Sequence, residues 1–345
     1  MGKAKFILSR NKVIEQYNKV KNLCDIVSYS AKTNQHVTKI LEEQTDCMFS
    51  IHFIRELKHI ANKRRVIFLA QAWDYKLIDG LVNLGISWFI VDNIHDLNTL
   101  LSYLDKNKDK EVNLLLRVRL KEHTLKTEKY FVFGMGADIT NKKLEGLRAI
   151  RQINKLGIHF HRKTQNIAEW DLRYEIPQII EENNWRNIDI VNIGGGLPSR
   201  YANTNDNAIG FIFNRIKEFR DFLKKKNTEM MIEPGRFIAA PAVKLITEIV
   251  AIYGNTIVVN ASVYNSDMDA LIVPVKLLVE GELPRGEGKP YMIKGITPCS
   301  LDLFRYRVYL KEPRIGEKII FLNAGAYNFT TDFCDLEKLK TEIVD

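Results

Sequence analysis

Residues 188–196 read IDIVNIGGG, and residues 229–236 read EMMIEPGR. Each stretch starts with a short apolar run of the length of a buried β-strand and stops where glycine interrupts it. Between them, residues 209–226 place apolar side chains at helical spacing. A strand, a helix and a second strand in this order are typical of the βαβ unit, in which the two strands are parallel.

The same unit recurs toward the N-terminus and predicts a closed barrel. Strand-like runs alternate with helical patterns from about residue 25 to residue 235. The predicted strands cover residues 25–29, 46–51, 65–69, 87–91, 112–119, 157–161, 188–193 and 229–233. The clearest predicted helices cover residues 36–43, 75–84, 95–104, 142–155 and 209–226. Because about eight parallel strands close around their own side chains, we predict an α/β fold with a (β/α)8 TIM-type barrel over residues 25–238.

Beyond residue 238 the pattern changes to strands alone. Residues 246–262, ITEIVAIYGNTIVVNAS, and residues 317–323, EKIIFLN, are apolar and rich in β-branched residues, and little helical periodicity remains. The sequence therefore predicts a β-rich C-terminal domain, a β-sandwich or β-barrel, over residues 239–345. Residues 1–24 are predicted to be an N-terminal segment that joins this domain.

Composition and charge exclude several classes of protein. The chain has 345 residues, of which 46% are hydrophobic, so it is long enough for a large core. It shows neither a signal peptide nor an apolar run of about 20 residues, so we expect a cytoplasmic protein with no membrane partner. Four separated cysteines without a CxxC pair predict no metal site and no disulfides. The net charge of +9 is scattered, which disfavours a nucleic acid polymer as partner but suits a polyanionic small substrate.

Four unusual motifs follow predicted strands, at the end of a barrel where active sites form. Lys32 follows the first strand, His161 ends the sixth, residues 194–196 follow the seventh, and Glu233 to Arg236 close the eighth. Each alone has an ordinary explanation: Lys32 as a solvent-facing lysine, His161 as a structural histidine and the glycines as a tight turn. In the fourth motif, Glu233 could be a polar rim residue and Arg236 part of a surface salt bridge. Together they predict a site where glycine amides hold a phosphate and the lysine attacks an aldehyde.

In this order the motifs resemble those of the fold-type III pyridoxal-phosphate decarboxylases, which include ornithine, arginine and diaminopimelate decarboxylases. The stretches YSAKTN around Lys32, EPGR at residues 233–236 and NAGAYN around Tyr327 carry the resemblance, which covers nearly the whole chain. It implies an alanine racemase-like fold, pyridoxal 5'-phosphate as cofactor, decarboxylation of an amino acid, and a homodimer whose active sites are completed across the interface.

The resemblance also implies the roles of individual residues. Lys32 resembles the lysine that holds the cofactor as a Schiff base, His161 the histidine that stacks on its ring, and Glu233 the acid that pairs with its pyridine nitrogen. Phe333 resembles a later aromatic residue of the pocket, and Ser50 stands where the family usually has an aspartate. The residues implied in cofactor binding are Lys32, His161, Thr164, Gly195, Gly196, Glu233, Gly235, Arg236 and Tyr327.

A cysteine of the family controls protonation after carbon dioxide leaves, within a stretch G-x-x-C-[DE]-x-x-D. Here the stretch runs from Gly295 to Asp302 and is altered, because Pro298 takes the cysteine position when no gap is allowed. Cys299 is the natural candidate, and it or Lys32 is predicted to return the proton. A buried structural thiol remains the alternative for Cys299. Asp302 is predicted to contact the substrate.

One further departure bears on the substrate side chain. Ornithine-type enzymes keep an aspartate about nine residues after a tyrosine for the distal ammonium group, and the same count from Tyr264 reaches Val273. An aliphatic side chain would leave a buried ammonium without a partner, so ornithine, lysine and arginine are disfavoured. Other acids that could replace this aspartate, or that could simply be solvated loop residues, are Asp267, Asp269 and Asp332.

We predict that the enzyme removes the α-carboxylate of an aminocarboxypropyl-type amino acid carried on a larger, phosphate-containing scaffold. Arg162 and Lys163 replace small residues beside His161 and favour a substrate with negative charge. The decarboxylase region of microcin C maturation enzymes, which trims such a group on a peptidyl nucleotide, is one part of the family that the chain is similar to. That similarity implies a role in antibiotic biosynthesis.

Three other functions stay open on the sequence alone. The first is decarboxylation of a free basic amino acid, such as ornithine, lysine, arginine or diaminopimelate. The second is a racemase on a related barrel, which Glu233 disfavours because alanine-type racemases place an arginine against the pyridine nitrogen. The third is a non-catalytic homologue that binds pyridoxal phosphate, which the altered cysteine stretch favours.

Overall fold

The computed structural model describes residues 2–120, 133–204, 208–328 and 331–345. The chain divides into two compact units. One comprises Asn18–Pro198 and Asn207–Gly235, and the other comprises Met1–Tyr17, Ser199–Asp206 and Arg236–Asp345. In the described part of the chain, no helix combines the length and the hydropathy that crossing a membrane requires.

The chain opens with β1 (Lys5–Ser9) and α1 (Arg10–Lys21), and the barrel strands follow. These strands are β2 (Ile26–Ser30), β3 (Met48–Ile51), β4 (Val66–Phe68), β5 (Trp88–Val91), β6 (Val112–Arg117), β7 (Ile153–His159), β8 (Ile190–Asn192) and β9 (Glu229–Ile232). All neighbours are parallel, and β2 pairs with β9, which closes the barrel. The predicted eight-stranded barrel is confirmed.

Helices alternate with these strands. They are α2 (Gln35–Gln44), α3 (Tyr75–Asn83), α4 (Ile94–Lys106), α5 (Ala137–Arg148), α6 (Leu172–Ile179) and α7 (Ala208–Lys225). Short 3-10 turns cover Ala31–Thr33, Ile54–His59, Lys63–Arg65 and Glu182–Asn187. Asparagine or aspartate side chains cap the first turns of α2, α3 and α4 by accepting backbone N–H groups that have no partner within the helix.

One predicted helix was wrong in its extent. The helical pattern at residues 142–155 runs past the end of α5, and β7 already begins at Ile153. Ile150 and Ile153 are three residues apart, a spacing that suits a helix, but Ile153 pairs with Val112 of β6 in the barrel. The strand therefore starts four residues earlier than the predicted 157–161 and ends at His159.

The barrel interior is apolar. Its buried residues share a β-branched or long aliphatic side chain that fills the space between strands, and each such burial contributes about 1.5–3 kcal/mol. The central cluster consists of Ile67, Leu69, Ile90, Leu115, Ile190 and Met231. This packed core fixes the strand ends, where the polar side chains stand.

The second unit is built on one sheet, as predicted for a β-rich domain. Its later strands are β10 (Val243–Tyr253), β11 (Thr256–Val259), β12 (Leu278–Val279), β13 (Lys289–Lys294), β14 (Leu303–Leu310), β15 (Lys318–Leu322) and β16 (Lys340–Val344). The strand order is β12-β15-β10-β11-β13-β14, and β1 pairs with β10 and β16. Short helices are α8 (Arg236–Ala239), α9 (Val263–Ser266) and α10 (Asp269–Ile272), with 3-10 turns at Ala240–Ala242 and Phe333–Asp335.

Candidate active site

Lys32 lies in the 3-10 turn that directly follows β2. The turn is fixed at both ends, because the Ser30 N–H donates to the Pro234 carbonyl (3.2 Å) and the Asn34 side chain caps α2. Burial lowers the pKa of the Lys32 amine, although the carboxylates of Glu56 and Glu233 oppose that shift. A lysine with a lowered pKa has more of the neutral amine that attacks an aldehyde.

Glu233 directly follows β9, at the barrel mouth formed by the carboxyl ends of the barrel strands. Only 3% of it is exposed. Its carboxylate accepts hydrogen bonds from Ser50 Oγ (2.6 Å), Asn192 Nδ2 (2.9 Å) and His159 Nε2 (3.2 Å). Burial alone would raise the pKa of Glu233, but His159, Ser50 and Asn192 together hold it well below its ordinary range. Glu233 is therefore an ionised carboxylate fixed in one orientation.

His159 supplies the third of these hydrogen bonds as a neutral ring. It is fully buried at the end of β7, and burial lowers its pKa in spite of the opposing charge of Glu233. A neutral imidazole that donates through Nε2 leaves Nδ1 without a proton, and the buried Nδ1 has no hydrogen-bond partner in the described structure. The proton on Nε2 is thus assigned by the contact with the carboxylate.

The glycine loop after β8 packs against the same strand ends. Gly194 has φ +64° and Gly196 has φ +103°, a region that favours glycine. A Cβ on Gly195 would lie 2.8 Å from the Glu233 carbonyl oxygen, and one on Gly194 would overlap the Phe160 carbonyl oxygen. The Gly195 N–H donates to Nδ1 of His161 (3.1 Å). The loop therefore needs glycine because backbone and ring approach it closely.

His161 and the residues after it leave β7 beside that loop. The pKa of His161 is lowered by desolvation of its ring against the loop and by the neighbouring His159, although the residue as a whole is exposed. Lys163 and Thr164 are half-buried. Arg162 is buried and pairs with Glu175 and with Glu169 (3.8 Å) in the barrel. A substrate contact for Arg162 remains a prediction that this pairing does not favour.

Arg236 begins α8 in the second unit and is 3% exposed. Both terminal nitrogens bind the carboxylate of Asp269, with Nη2 at 2.9 Å from Oδ1, and Nη1 also donates to the Tyr201 hydroxyl (2.9 Å). The guanidinium lies 5.3 Å from the ring centre of Tyr327. Burial opposes the charge, but the bonds to Asp269 and Tyr201 raise the pKa of Arg236. The structure thus brings together two predicted residues, Arg236 and Tyr327.

Cys299 lies elsewhere in the second unit, against an aromatic pair. Its half-buried thiol is 2.9 Å from the Tyr264 hydroxyl, and the Phe333 ring stacks on Tyr264 with 4.0 Å between centres. Asp302 is 1% exposed, and its carboxylate accepts three hydrogen bonds from Val263 N, Thr297 N and Thr297 Oγ1. The predicted substrate contact of Asp302 stays a prediction, because these bonds engage both of its oxygens.

Several polar residues of the barrel mouth were missed by the sequence analysis. His159 lies two residues before His161, and Asn192 two residues before Gly194. Alternate residues of a strand share a face, so this spacing could have found them. Other missed residues are Glu56, whose buried Oε2 has no hydrogen-bond partner in the described structure, and the pair Arg117–Asp92 (3.2 Å).

Comparison with known proteins gives a consistent result. The family model described as "Pyridoxal-dependent decarboxylase, pyridoxal binding domain" matches residues 10–240. The diaminopimelate decarboxylase of Aquifex aeolicus is 23% identical, over 95% of this chain and 83% of that protein. The 2-[(L-alanin-3-ylcarbamoyl)methyl]-2-hydroxybutanedioate decarboxylase of Staphylococcus aureus is 25% identical, over 74% and 70%. The lysine/ornithine decarboxylase of Vibrio vulnificus, complexed with cadaverine, has the same fold (TM-score 0.81, 21% identity, 100% and 95% coverage).

Proposed function

The chain belongs to the pyridoxal-dependent decarboxylases, and from this premise we propose that it decarboxylates an amino acid whose side chain carries a larger, negatively charged scaffold. It is an amino-acid decarboxylase that uses pyridoxal 5'-phosphate. An aminocarboxypropyl group on a phosphate-containing molecule, such as a peptidyl nucleotide, is the form of substrate that we infer. The net charge of +9 suits an anionic scaffold.

The residues of the barrel mouth fit the cofactor. A half-buried amine with a lowered pKa, an ionised carboxylate and a glycine loop that excludes a Cβ all stand at carboxyl ends of barrel strands. When bound, pyridoxal phosphate supplies a conjugated ring that takes up the electron pair of the broken bond to the carboxylate. Lys32 is proposed to hold it through the amine, and His161 to lie against the ring.

Other residues of this chain are proposed to tune and orient the cofactor. Glu233, kept ionised by Ser50, Asn192 and His159, favours a proton on the pyridine nitrogen. The phosphate contacts proposed are those of Thr164, Gly195, Gly196, Gly235, Arg236 and Tyr327. Cys299 or Lys32 is proposed to return a proton to the substrate carbon after carbon dioxide leaves. The homodimer, the cytoplasmic location and the role in antibiotic biosynthesis stay predictions.

The observation that carries the substrate proposal is the state of three carboxylates in the second unit. Asp269 is paired with Arg236, and Asp302 accepts three hydrogen bonds. Asp267 is fully buried, and burial followed by the neighbouring Asp269 raises its pKa well above the ordinary range. A distal ammonium needs an ionised carboxylate that is available to it in a pocket, and these three do not offer one. Asp332, the remaining acid considered from the sequence, is exposed directly before the 3-10 turn Phe333–Asp335.

The name of the Staphylococcus aureus relative supports the same direction. By that name its substrate is an alanine carried through C3 and an amide on a hydroxybutanedioate, which is a modified amino acid with further carboxylates. A basic amino acid is the second candidate, because the Aquifex aeolicus relative is named for diaminopimelate.

The test is carbon dioxide release from a panel of amino acids by the purified enzyme loaded with pyridoxal phosphate. Four members of the panel are basic amino acids: ornithine, lysine, arginine and diaminopimelate. The two anionic conjugates are diaminopropionate joined through an amide to a dicarboxylate, and a nucleotide that carries an aminocarboxypropyl group. We expect kcat/KM for one of the two anionic conjugates to exceed that for every basic amino acid by at least about 100-fold. Preferred turnover of ornithine, lysine, arginine or diaminopimelate would contradict the proposal.

A matched variant separates the two candidates further. If a basic amino acid were the substrate and Asp267 held its distal ammonium, Asp267→Asn would lower kcat/KM for that amino acid strongly. We expect this variant to leave the order of preference among the panel unchanged, since Asp267 is fully buried and burial raises the pKa of its carboxyl well above the ordinary range.

A further inference from the structure

We propose that Tyr264 is a positioning residue for the reaction, and that its phenol orients the Cys299 thiol for return of the proton to the substrate. The inference deepens the proposed function and rests on its assignment of Cys299 as proton donor. The observation behind it is the hydrogen bond of 2.9 Å between the Tyr264 hydroxyl and Cys299 Sγ. The family resemblance implies no catalytic role for Tyr264, which is only the residue from which the position of the substrate aspartate is counted.

The chemistry of the two groups sets the direction of this hydrogen bond. A phenol is a good donor, whereas a thiol is a weak donor and a weak acceptor. With the Tyr264 O–H donating to sulfur, the S–H bond of Cys299 is left to point at another acceptor. The thiol is half-buried and Tyr264 is 9% exposed, so one partner stays accessible while the other is held inside.

The tyrosine is fixed on its own side. The Phe333 ring stacks on the Tyr264 ring with 4.0 Å between centres and 25° between planes. Thr331 Oγ1 donates to the Tyr264 carbonyl oxygen (3.0 Å). The phenol therefore has little freedom to turn away from the sulfur. This contact gives Phe333, which was predicted to line the pocket, a second role as the support of Tyr264.

The cysteine loop is tied to the helix that carries Tyr264. Asp302 accepts a hydrogen bond from Val263 N (2.9 Å) in α9 and two from Thr297 in the loop (3.0 and 2.7 Å). Thr297 Oγ1 in turn accepts from Cys299 N (3.4 Å). A Cβ on Gly295 would overlap the Asp302 carboxylate. The first and last residues of the altered cysteine stretch thus hold its geometry.

The electrostatics agree with this direction of donation. The hydrogen bond from Tyr264 is the main cause that lowers the pKa of Cys299. The same bond, followed by burial, raises the pKa of Tyr264 to about 12, so the phenol keeps its proton at neutral pH. In the proposed step the S–H bond breaks and a C–H bond forms at the substrate carbon. The electron pair of the S–H bond stays on sulfur as a thiolate, which accepts from Tyr264 until water restores the proton.

The direct test titrates the thiol in the holoenzyme. Cys334→Ser removes the exposed cysteine, and burial raises the pKa of Cys24 and Cys47 to about 12, so Cys299 dominates alkylation by iodoacetamide. We expect Tyr264→Phe in this background to slow alkylation at neutral pH roughly tenfold, because the thiolate loses a hydrogen bond. Tyr306→Phe, on a tyrosine that is 68% exposed in the same unit, is the matched control and should change nothing.

A second readout follows the proton itself. Failure to protonate the substrate carbon diverts turnover from the amine to a carbonyl compound and pyridoxamine phosphate. We expect Tyr264→Phe and Cys299→Ala each to raise the share of this diverted product. If Tyr264→Phe does not fold, Phe333→Leu replaces it in the test, and we expect a smaller rise in the same direction.

Two outcomes overturn the inference. One is a Tyr264→Phe enzyme whose alkylation rate and product ratio equal those of Tyr306→Phe. The other is a Cys299→Ala enzyme with a normal product ratio, which removes the donor role. Failure of the substrate panel is distinguishable from failure of this inference, because the alkylation rates of Tyr264→Phe and Tyr306→Phe are compared without any substrate.

Discussion

The polar cluster around Glu233 in the barrel and the cluster around Cys299 in the second unit differ in how completely water is excluded. Glu233 is 3% exposed and accepts three hydrogen bonds from side chains on other strands. The Cys299 thiol is half-buried and, within the described residues, has one side-chain hydrogen-bond partner, Tyr264. A closed network holds a charge in one state, whereas a half-open thiol can exchange a proton.

The positions of the two clusters in the fold account for this difference. The barrel cluster stands on the ends of β3, β7, β8 and β9, and a packed apolar core fixes those ends. The Cys299 cluster stands on a loop before β14 and on the short helix α9. Rigid strand ends favour a permanent charge, and a loop favours a group that must approach a substrate.

Replacing the central carboxylate should have the larger effect. Glu233→Gln keeps the shape but removes the charge that Ser50, Asn192 and His159 stabilise. We expect kcat to fall by about 10²–10³, as is typical when an electrostatic group of an active site is lost. Steady-state kinetics with the best substrate of the panel measures this. The control is Glu218→Gln, on a half-exposed side chain of α7, which should leave kcat unchanged. An unchanged kcat for Glu233→Gln would show that the charge of Glu233 is not needed for the reaction.

A smaller effect is expected on stability in mild acid. The folded-state pKa of His159 is lowered, mainly by burial, so the unfolded chain binds a proton below about pH 6.5 that the folded chain resists. Protonation of His159 in the unfolded chain therefore lowers the free energy of unfolding as the pH falls below that value, and it has little effect above it. Between about pH 7 and about pH 5.5, we expect the free energy of unfolding of His159→Gln to fall by about 1 kcal/mol less than that of the wild type.

Urea denaturation at the two pH values measures the difference. The control is His95→Gln, because His95 is exposed on α4. A His159→Gln protein with the same pH dependence as the wild type would show that the ring is not kept neutral by burial.

The fold was largely predictable from the sequence because periodicity and chain order encode it. The glycines after residue 193 and the EPGR stretch predict where two barrel strands end. In the structure, β8 ends at Asn192 and β9 ends at Ile232, just before these stretches. The extent of β7 was not predictable, since Ile150 and Ile153 are three residues apart, a spacing that favours a helix over the strand that Ile153 in fact begins. The pattern of a single stretch cannot decide between them, whereas the pairing of Ile153 with Val112 does.

The candidate site was predictable only in part. Lys32, His161 and Glu233 stand in motifs that the sequence displays. The partners that set their charge come from other strands, as Ser50 and Asn192 do for Glu233. Side chains that meet across a barrel are far apart in the chain, so their hydrogen bonds depend on packing that no local pattern records.

The most direct test of the whole account is to map the covalent attachment of the cofactor. The enzyme loaded with pyridoxal phosphate is reduced with borohydride, digested and analysed by mass spectrometry. We predict that the phosphopyridoxyl group is found on Lys32 and not on Lys39, an exposed lysine of α2. A reduced enzyme whose Lys32 peptide carries no added mass would contradict the account.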